Sequence, residues 1–263
     1  MIWKHMPSIV EIPSVLSMIG LFIGIILFLE VGRRLGARHL RKKETEGKGP
    51  PVEAALFGLL GLLIAFTFSG ASARYDARRN LIVDEANRIE TGYMRIDLLP
   101  EQSQAALKDK FREYLDSRLL TYRKVPDMDA VEVEWQRSRR LQKELWAMSV
   151  TAANEAQKIP FASLYLQSVN QMVEITTSRT TATQMHPPIV IFVMLGILVF
   201  AVSLLAGFAT AKVKTRSWLH IGVFAFIFGI TIYVILDMEY PRIGLISVDS
   251  FDKVLVDLQE RMN

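Results

Sequence analysis

The feature that most constrains this chain is one uninterrupted stretch from Glu53 to Leu99. Its first half is apolar and long enough to cross a bilayer, and its second half is polar. Proline, the strongest helix breaker, is absent until Pro100, and three of the four glycines lie in the apolar half. The stretch therefore predicts one long helix, half of it in lipid and half in water.

Small and polar residues recur along one face of this helix. At 100° per residue they fall within roughly an 80° arc. A face of this kind packs closely against another helix, or it lines a pore or polar cavity, and both interpretations require partner helices. The face, small in the membrane half and polar beyond it, consists of Ala54, Gly58, Gly61, Ala65, Ser69, Ser72, Asp76, Arg79, Val83, Asn87 and Glu90.

Composition supports a membrane protein with a substantial aqueous part, since 51% of the residues are hydrophobic and 22% are charged. The chain has no cysteine, which excludes disulfides, thiolate catalysis and cysteine-ligated metals. Its four histidines are scattered without the spacing of metal ligands, so neither a zinc site nor a cofactor is predicted. These are His5, His39, His186 and His220.

Three further apolar runs, at residues 13–29, 189–210 and 218–236, are long enough to be membrane spans. No alternating strand pattern occurs, so the predicted fold is all-α: a polytopic membrane protein with four transmembrane helices and a helical-bundle extramembrane domain. The predicted organisation is 1–32 (amino terminus and first span), 33–52 (basic loop), 53–73 (second span), 74–186 (helical-bundle domain), 187–210 (third span), 211–217 (basic connector), 218–237 (fourth span) and 238–263 (carboxy-terminal tail).

The spacing of apolar residues predicts which residues form the core of the helical bundle. The helix after Pro100 has an apolar face of Leu107, Phe111, Tyr114 or Leu115, and Leu119. Pro126, with Asp127 or Asp129, marks the start of the next helix, and Pro160 the start of the last. The core positions of the helix after Pro126 are Trp135, Leu141, Leu145, Met148 and Ala152, and the tail has an amphipathic stretch with Phe251, Val254, Leu255 and Leu258.

Positive charge predicts the orientation in a bacterial inner membrane. Loops rich in lysine and arginine stay in the cytoplasm, which places the helical domain and both termini in the periplasm. A net charge of +4 distributed in this way points to orientation and not to nucleic acid binding. The cations are Arg33, Arg34, Arg38, Arg41, Lys42, Lys43 and Lys48 in the first basic loop, and Lys212, Lys214 and Arg216 in the connector.

Three stretches, at residues 58–87, 169–179 and 237–248, resemble the bacterial bestrophin-like domain family. That family is similar to bestrophins, pentameric anion channels whose second transmembrane helix lines the pore. The resemblance implies that the segment Tyr75-Asp76 with Arg78-Arg79 corresponds to the aromatic-Asp-Arg segment at which that helix leaves the membrane. It also implies that Phe66 and Phe68 stand where bestrophins place apolar neck residues.

Two departures accompany the resemblance. The tryptophan-rich continuation of the bestrophin segment is absent here. The soluble part of bestrophins is cytosolic, whereas the basic loops of this chain predict the reverse.

Enzymatic motifs are missing. The glycines at 58, 61 and 70 lie in membrane-length sequence without the lysine and hydroxyl partners of a phosphate loop. The paired carboxylates Asp84-Glu85 have the pattern of solvated helix-surface charge. Asp237 and Glu239 are either acids at the end of a span or a candidate cation site. The sequence therefore predicts a protein that is not an enzyme.

Two functions remain. The first is ion permeation through a homo-oligomer assembled around the second helix, a pentamer if the chain is truly bestrophin-like. The second is a membrane-anchored interaction or sensory module without permeation. The predicted partners are the lipid bilayer, further copies of this chain and inorganic ions. The predicted sites are a pore-lining or packing face (Gly58, Gly61, Ala65, Ser69 and Ser72), a neck (Phe66 and Phe68), a charged mouth (Asp76 and Arg79) and a cation site (Asp237 and Glu239).

Overall fold

A computed structural model describes residues 14–42, 52–125, 127–156, 158–211, 218–242 and 244–263. These ranges contain α-helices and two short 3-10 turns, Arg95–Leu98 and Asp249–Asp252, and within them there is no strand. Pro126, Lys43, Lys48 and the connector cations lie outside the described residues. The helices are α1 (Ser14–Lys42), α2 (Val52–Met94), α3 (Glu101–Arg123), α4 (Met128–Glu155), α5 (Ile159–Gln184), α6 (Ile189–Thr210), α7 (Trp218–Glu239) and α8 (Lys253–Met262).

Four helical stretches are long and apolar enough to cross a membrane, which confirms the predicted fold class. The single helix predicted from Glu53 onward is present as α2, with 43 residues. The stretches are Leu16–Arg41, Ala54–Leu98, Ile159–Thr210 and Trp218–Glu239.

The first basic segment differs from the prediction. Residues 33–42 were expected in a loop, but they continue α1 to Lys42. Arginine, leucine, alanine and lysine favour helix, and the Arg34 Nε donates a hydrogen bond to Glu30 Oε1 one turn earlier at 2.9 Å. Positive charge alone does not end a helix, so the basic segment is helical at least to Lys42.

Helices α1 and α6 approach each other closely through glycines. A Cβ at Gly32 would overlap the carbonyl oxygen of Leu204, and one at Gly207 would overlap that of Leu29. Small residues permit such contact between membrane helices. The intrachain packing of the spans therefore uses glycines of α1 and α6.

Contacts divide the chain into two compact units, and the division falls inside α2. Of the described residues, the bundle unit comprises Arg74–Met185 and Pro241–Asn263, and the membrane unit comprises those from Ser14 to Ala73 and His186–Tyr240.

The predicted core of the bundle unit is buried. Asp127 is the N-cap of α4 and accepts a hydrogen bond from the Ala130 amide at 3.1 Å. The tail belongs to this unit, because α8 adds three residues to the same core. Core residues include Leu107, Phe111, Tyr114, Leu115, Leu119, Leu141, Leu145, Ala152, Leu255, Leu258 and Met262, with Met148, Phe251 and Val254 partly buried against them.

Candidate functional site

Among the described residues, none covers the small face of α2 in its membrane half. Gly58, Gly61, Ala65 and Ser69 are exposed, and Ser72 is partly buried. A Cβ at Gly58 or Gly61 would meet no described atom within 4 Å. These positions are thus open to whatever surrounds the chain.

The opposite side of the same half is the one that packs. Leu60, Thr67 and Ala71 are buried, and at 100° per residue they lie about 140° from the centre of the small face. The Thr67 hydroxyl donates to the Leu63 carbonyl at 2.7 Å, which satisfies its polar group within the helix. The rotation of α2 therefore directs its small face away from the described residues that bury Leu60, Thr67 and Ala71.

The two neck candidates lie on different sides of α2. Phe66 is 68% exposed and Phe68 is 43% exposed. Two residues along a helix correspond to about 200°, so the rings point in nearly opposite directions. Phe68 lies about 60° from the centre of the small face and Phe66 about 100°, so one ring, and not both, belongs beside that face.

In the bundle unit the exposed side of α2 is rotated from the predicted stripe. Asn80, Asp84, Asn87 and Thr91 are exposed, whereas Arg79 is only partly so. This exposed face is centred about 70° from the predicted stripe. Of the predicted stripe in this half, Asn87 alone is fully exposed; Asp76, Arg79, Val83 and Glu90 are partly buried.

The tail explains the rotation. The Tyr75 hydroxyl donates to the Ser247 carbonyl at 3.2 Å, and the Tyr93 hydroxyl to that of Met262 at 3.1 Å. Arg261 also pairs with Glu90 at 3.1 Å. The tail thus contacts α2 at the predicted stripe, through Glu90, and on the side next to it, through Tyr75 and Tyr93.

Asp76 and Arg79 form the expected pair, and the tail adds a further contact. The Arg79 Nη2 lies 3.6 Å from Asp76 Oδ1, with side chains 39% and 51% exposed respectively. The Arg79 guanidinium carbon also lies 4.9 Å from the ring centroid of Phe251, a cation-π geometry. The orientation of this candidate mouth arginine is therefore set by two neighbours.

The other residues of the aromatic-Asp-Arg segment are structural. Arg78 is 6% exposed. Its Nε donates to the Ala182 carbonyl at 3.1 Å and its Nη2 to that of Met185 at 2.8 Å. A cation that hydrogen-bonds the last carbonyls of a helix stabilises its carboxy terminus, so Arg78 caps α5.

Glu85, which the sequence placed on a solvated surface, is fully buried, and that expectation was wrong. Its two carboxylate oxygens accept from Arg118 Nε and Arg179 Nη1, each at 2.5 Å. Burial alone would raise the pKa of Glu85, but the charges and hydrogen bonds of the two arginines lower it to about 2. Asp84, its neighbour, is exposed as predicted.

The same ion network reaches the tail. Arg179 Nη2 donates to Asp252 Oδ1 at 3.1 Å, and Arg242 Nη1 donates to Asp252 Oδ2 at 2.9 Å. The ring of Tyr122 lies beneath the Arg179 guanidinium, 3.7 Å from ring centroid to guanidinium carbon. Glu85 and Asp252 are 167 positions apart in the sequence, but a single arginine, Arg179, contacts both carboxylates.

The sequence was compared with models of known protein families. The model of the bestrophin-like domain family matches residues 19–250. This chain belongs to the bestrophin-like domain family.

A solved structure agrees with this assignment. The bestrophin-like chain is similar to a crystal structure of a bacterial bestrophin homologue from Klebsiella pneumoniae that carries one substitution, with a TM-score of 0.67 and 12% sequence identity. The match covers 93% of this chain and 99% of that one. At this identity the likeness shows a shared fold. No curated protein matches the sequence.

The acid pair of the bestrophin-like chain lies at the end of α7. Asp237 and Glu239 are 0% and 1% exposed, and Glu239 Oε2 lies 3.6 Å from His186 Nδ1. The His186 ring also stacks on Tyr240, with 4.7 Å between centroids. Among the described residues no three acidic or histidine side chains form a group that would hold a metal ion.

Proposed function

We propose that this protein is a bestrophin-like ion channel of a bacterial inner membrane, formed by a homo-oligomer with α2 around its axis. The observation that carries the proposal is the small face of α2, where Gly58, Gly61, Ala65 and Ser69 are exposed and a Cβ on either glycine would meet no described atom within 4 Å. Family membership supports the same function, because the family is named for its likeness to a channel family.

Membrane chemistry explains why this face favours an assembly. A serine at membrane depth is tolerated mainly where it faces protein or water, and glycines permit close approach of backbones. Several copies of α2 around an axis would satisfy both requirements. We propose that Phe68, the ring nearer this face, narrows the pathway as the neck, and that Phe66 packs between copies or in lipid.

Beyond the membrane, the exposed face of α2 is polar and carries little charge. Asn80, Asn87 and Thr91 are neutral hydrogen-bonding groups, and Asp84 is the one ionised side chain of that set. Neutral polar groups replace part of the hydration shell of an ion without trapping it. We propose that these residues continue the permeation path, with Asp76 and Arg79 beside it.

Arg79 provides the sharpest test of the pathway. In an oligomer it would repeat as a charged ring, so Arg79→Glu should shift the anion-to-cation permeability ratio of the reconstituted protein. Arg88→Glu, at a partly buried position of the same helix, is the matched control and should leave the reversal potential unchanged. An unchanged reversal potential with Arg79→Glu would make the pair an ordinary surface ion pair, worth about 0.2–0.5 kcal/mol.

Subunit number decides between the two function hypotheses. Mass determination of the detergent-purified protein should give a homo-oligomer, five copies if the arrangement is that of bestrophins. A monomer, or a dimer with a solid interior and no ion flux in proteoliposomes, would favour the membrane-anchored interaction module.

Orientation is tested separately. We propose that the basic segments are cytoplasmic, so reporters fused after Lys43 and after Arg216 should behave as cytoplasmic and reporters near Pro126 as periplasmic. A cytoplasmic reporter at Pro126 would instead support the arrangement with a cytosolic soluble part.

A further inference from the structure

Helix α1 has one face fixed against protein. Gly32 and Gly36 lie so close to α6 that a Cβ on either would overlap a backbone carbonyl oxygen, that of Leu204 or Phe208. The ring of His39 lies on the same side and contacts Phe208, with 5.8 Å between centroids. This contact fixes the rotation of α1 about its axis, and the opposite side faces away from α6.

That opposite side changes from apolar to cationic along the helix. Counting 100° per residue from Gly32, Arg34, Arg38 and Arg41 fall within about 60° of one another and point about 180° from the glycine face. All three arginines are exposed. The apolar part of the same side consists of the exposed residues Leu16, Ile19, Ile23 and Leu27.

The arginines of this segment differ in whether an acidic side chain pairs with them. Glu30 pairs with Arg34 at 2.9 Å and with Arg33 at 3.6 Å. For Arg38 and Arg41, the described part of the chain provides no ion-pair partner. Among the described residues, two exposed cations one helical turn apart therefore lie without an acidic partner at the end of an apolar stripe.

We propose that Arg38 and Arg41 bind the phosphodiester group of an anionic phospholipid. An acyl chain matches the exposed aliphatic stripe that ends at Leu27, and the phosphate matches the guanidinium groups that follow it on the same side. Leu27 and Arg38 are about 16 Å apart along the axis, and arginine side chains extend back toward the headgroup layer with their stems on apolar surface.

The aliphatic stripe and the two arginines lie on the same side of α1, which indicates that the phosphate belongs to a lipid. Free phosphate would use the guanidinium groups but not the stripe, whereas a second copy of the chain would have to place acidic groups against it. Only a phospholipid presents hydrocarbon and negative charge in this order along a membrane helix. The surface is independent of whether ions pass through the protein.

The experiment measures the preference of the full-length, detergent-purified protein for phosphatidylglycerol over phosphatidylcholine by native mass spectrometry of lipid adducts. Arg38→Gln with Arg41→Gln should reduce that preference by about 25-fold, because two surface cations are removed. The matched control is Arg140→Gln with Lys143→Gln, which removes two exposed cations at the same spacing from α4 of the bundle unit and should leave the preference unchanged.

A further variant, competition by phosphate and the oligomeric mass test the alternatives. Arg38→Lys with Arg41→Lys keeps the charge and should retain most of the preference, which also answers the objection that the glutamine variant is misfolded. An unchanged preference in the glutamine variant overturns the proposal. So does full competition by inorganic phosphate, which would indicate a free-anion site, or a loss of oligomeric mass in that variant, which would indicate that a second copy covers the face.

Discussion

The two halves of α2 use the same helix in different ways. In the membrane half, buried residues are few, and the small face from Gly58 to Ser69 is open. In the bundle half, Ile82, Glu85 and Ile89 are inserted into a closed core, and each is at most 1% exposed. The bundle half is therefore complete within one chain, whereas the membrane half depends on lipid or on further copies.

This difference separates stability from function along one helix. Substitutions at the buried positions of the bundle half should strongly lower the stability of the folded chain. Substitutions at the small face of the membrane half should leave the single chain intact and change its assembly.

The largest effect is expected from Glu85→Gln. The amide keeps the shape of the side chain but leaves the buried Arg118 without its carboxylate and Arg179 with Asp252 alone. Loss of one partner of a buried ion pair costs about 3–5 kcal/mol. A large decrease in the thermal unfolding midpoint of the purified protein would show this. The control is Asp84→Asn at the exposed neighbour, with an expected change within about 0.5 kcal/mol.

The second prediction concerns how the stability of the protein changes at low pH. The pKa of Glu85 is lowered from its ordinary value of 4.5 to about 2 in the folded protein. A carboxyl group with a lowered folded pKa stabilises fully above its unfolded pKa, and the contribution, about 3 kcal/mol, is lost as the pH falls from about 4.5 toward 2.

Thermal unfolding between pH 5 and pH 3 measures this linkage. The midpoint of the wild type should decrease more steeply with falling pH than that of Glu85→Gln, which cannot titrate at this position. Parallel slopes would assign the acid sensitivity to other carboxylates.

The third prediction compares two glycines of the membrane unit. Gly207→Ala places a methyl group against the Leu29 carbonyl and should destabilise the chain by about 1–3 kcal/mol. Gly61→Ala meets open space and should not destabilise it.

A bulkier change at the open glycine tests assembly. Gly61→Leu should leave the folded chain intact and reduce the fraction of oligomer in size-exclusion chromatography. An unchanged oligomer would remove this face from the subunit contact and leave an open cavity as its remaining role.

The smallest effect is expected from Tyr114→Phe in the bundle core. The Tyr114 hydroxyl is bonded to Thr176 Oγ1 at 2.8 Å and accepts from Gln142 Nε2 at 3.1 Å. Loss of these buried bonds should cost about 1 kcal/mol, measured as a small decrease in the unfolding midpoint. Ser178→Ala, at an exposed hydroxyl of α5, is the control, and a change as large as that of Tyr114→Phe would contradict the argument.

Local signals were sufficient for the architecture. Length and hydropathy identified the four spans, and the absence of proline before Pro100 predicted one continuous α2. The period of Leu107, Phe111 and Leu119 placed a buried face on α3, and Asp127 was recognised as a cap. Each of these depends on a few neighbouring residues, so the sequence alone contains the necessary information.

Which side of the polar half of α2 is exposed could be determined only from the tertiary structure. Periodicity defines a stripe but not which side of the helix a distant segment will cover, and here the tail contacts Tyr75, Arg79 and Glu90. The exposed face consequently moves to Asn80 and Asp84. These contacts are hydrogen bonds, an ion pair and a cation-π contact with residues distant in the chain, and the period of α2 carries no information about them.

Glu85 shows the same limit for a single residue. In sequence it is one of two adjacent carboxylates on a polar helix, and nothing nearby distinguishes it from Asp84. Its burial depends on Arg118 and Arg179, which come from two other helices and compensate the cost of removing its charge from water. The sequence by itself determined which segments are long and apolar enough to cross a membrane and, apart from residues 33–42, which are helical, since those properties are local. Only the tertiary structure decided which charges are buried and which face of α2 is left open, because both depend on partners that are distant in the chain.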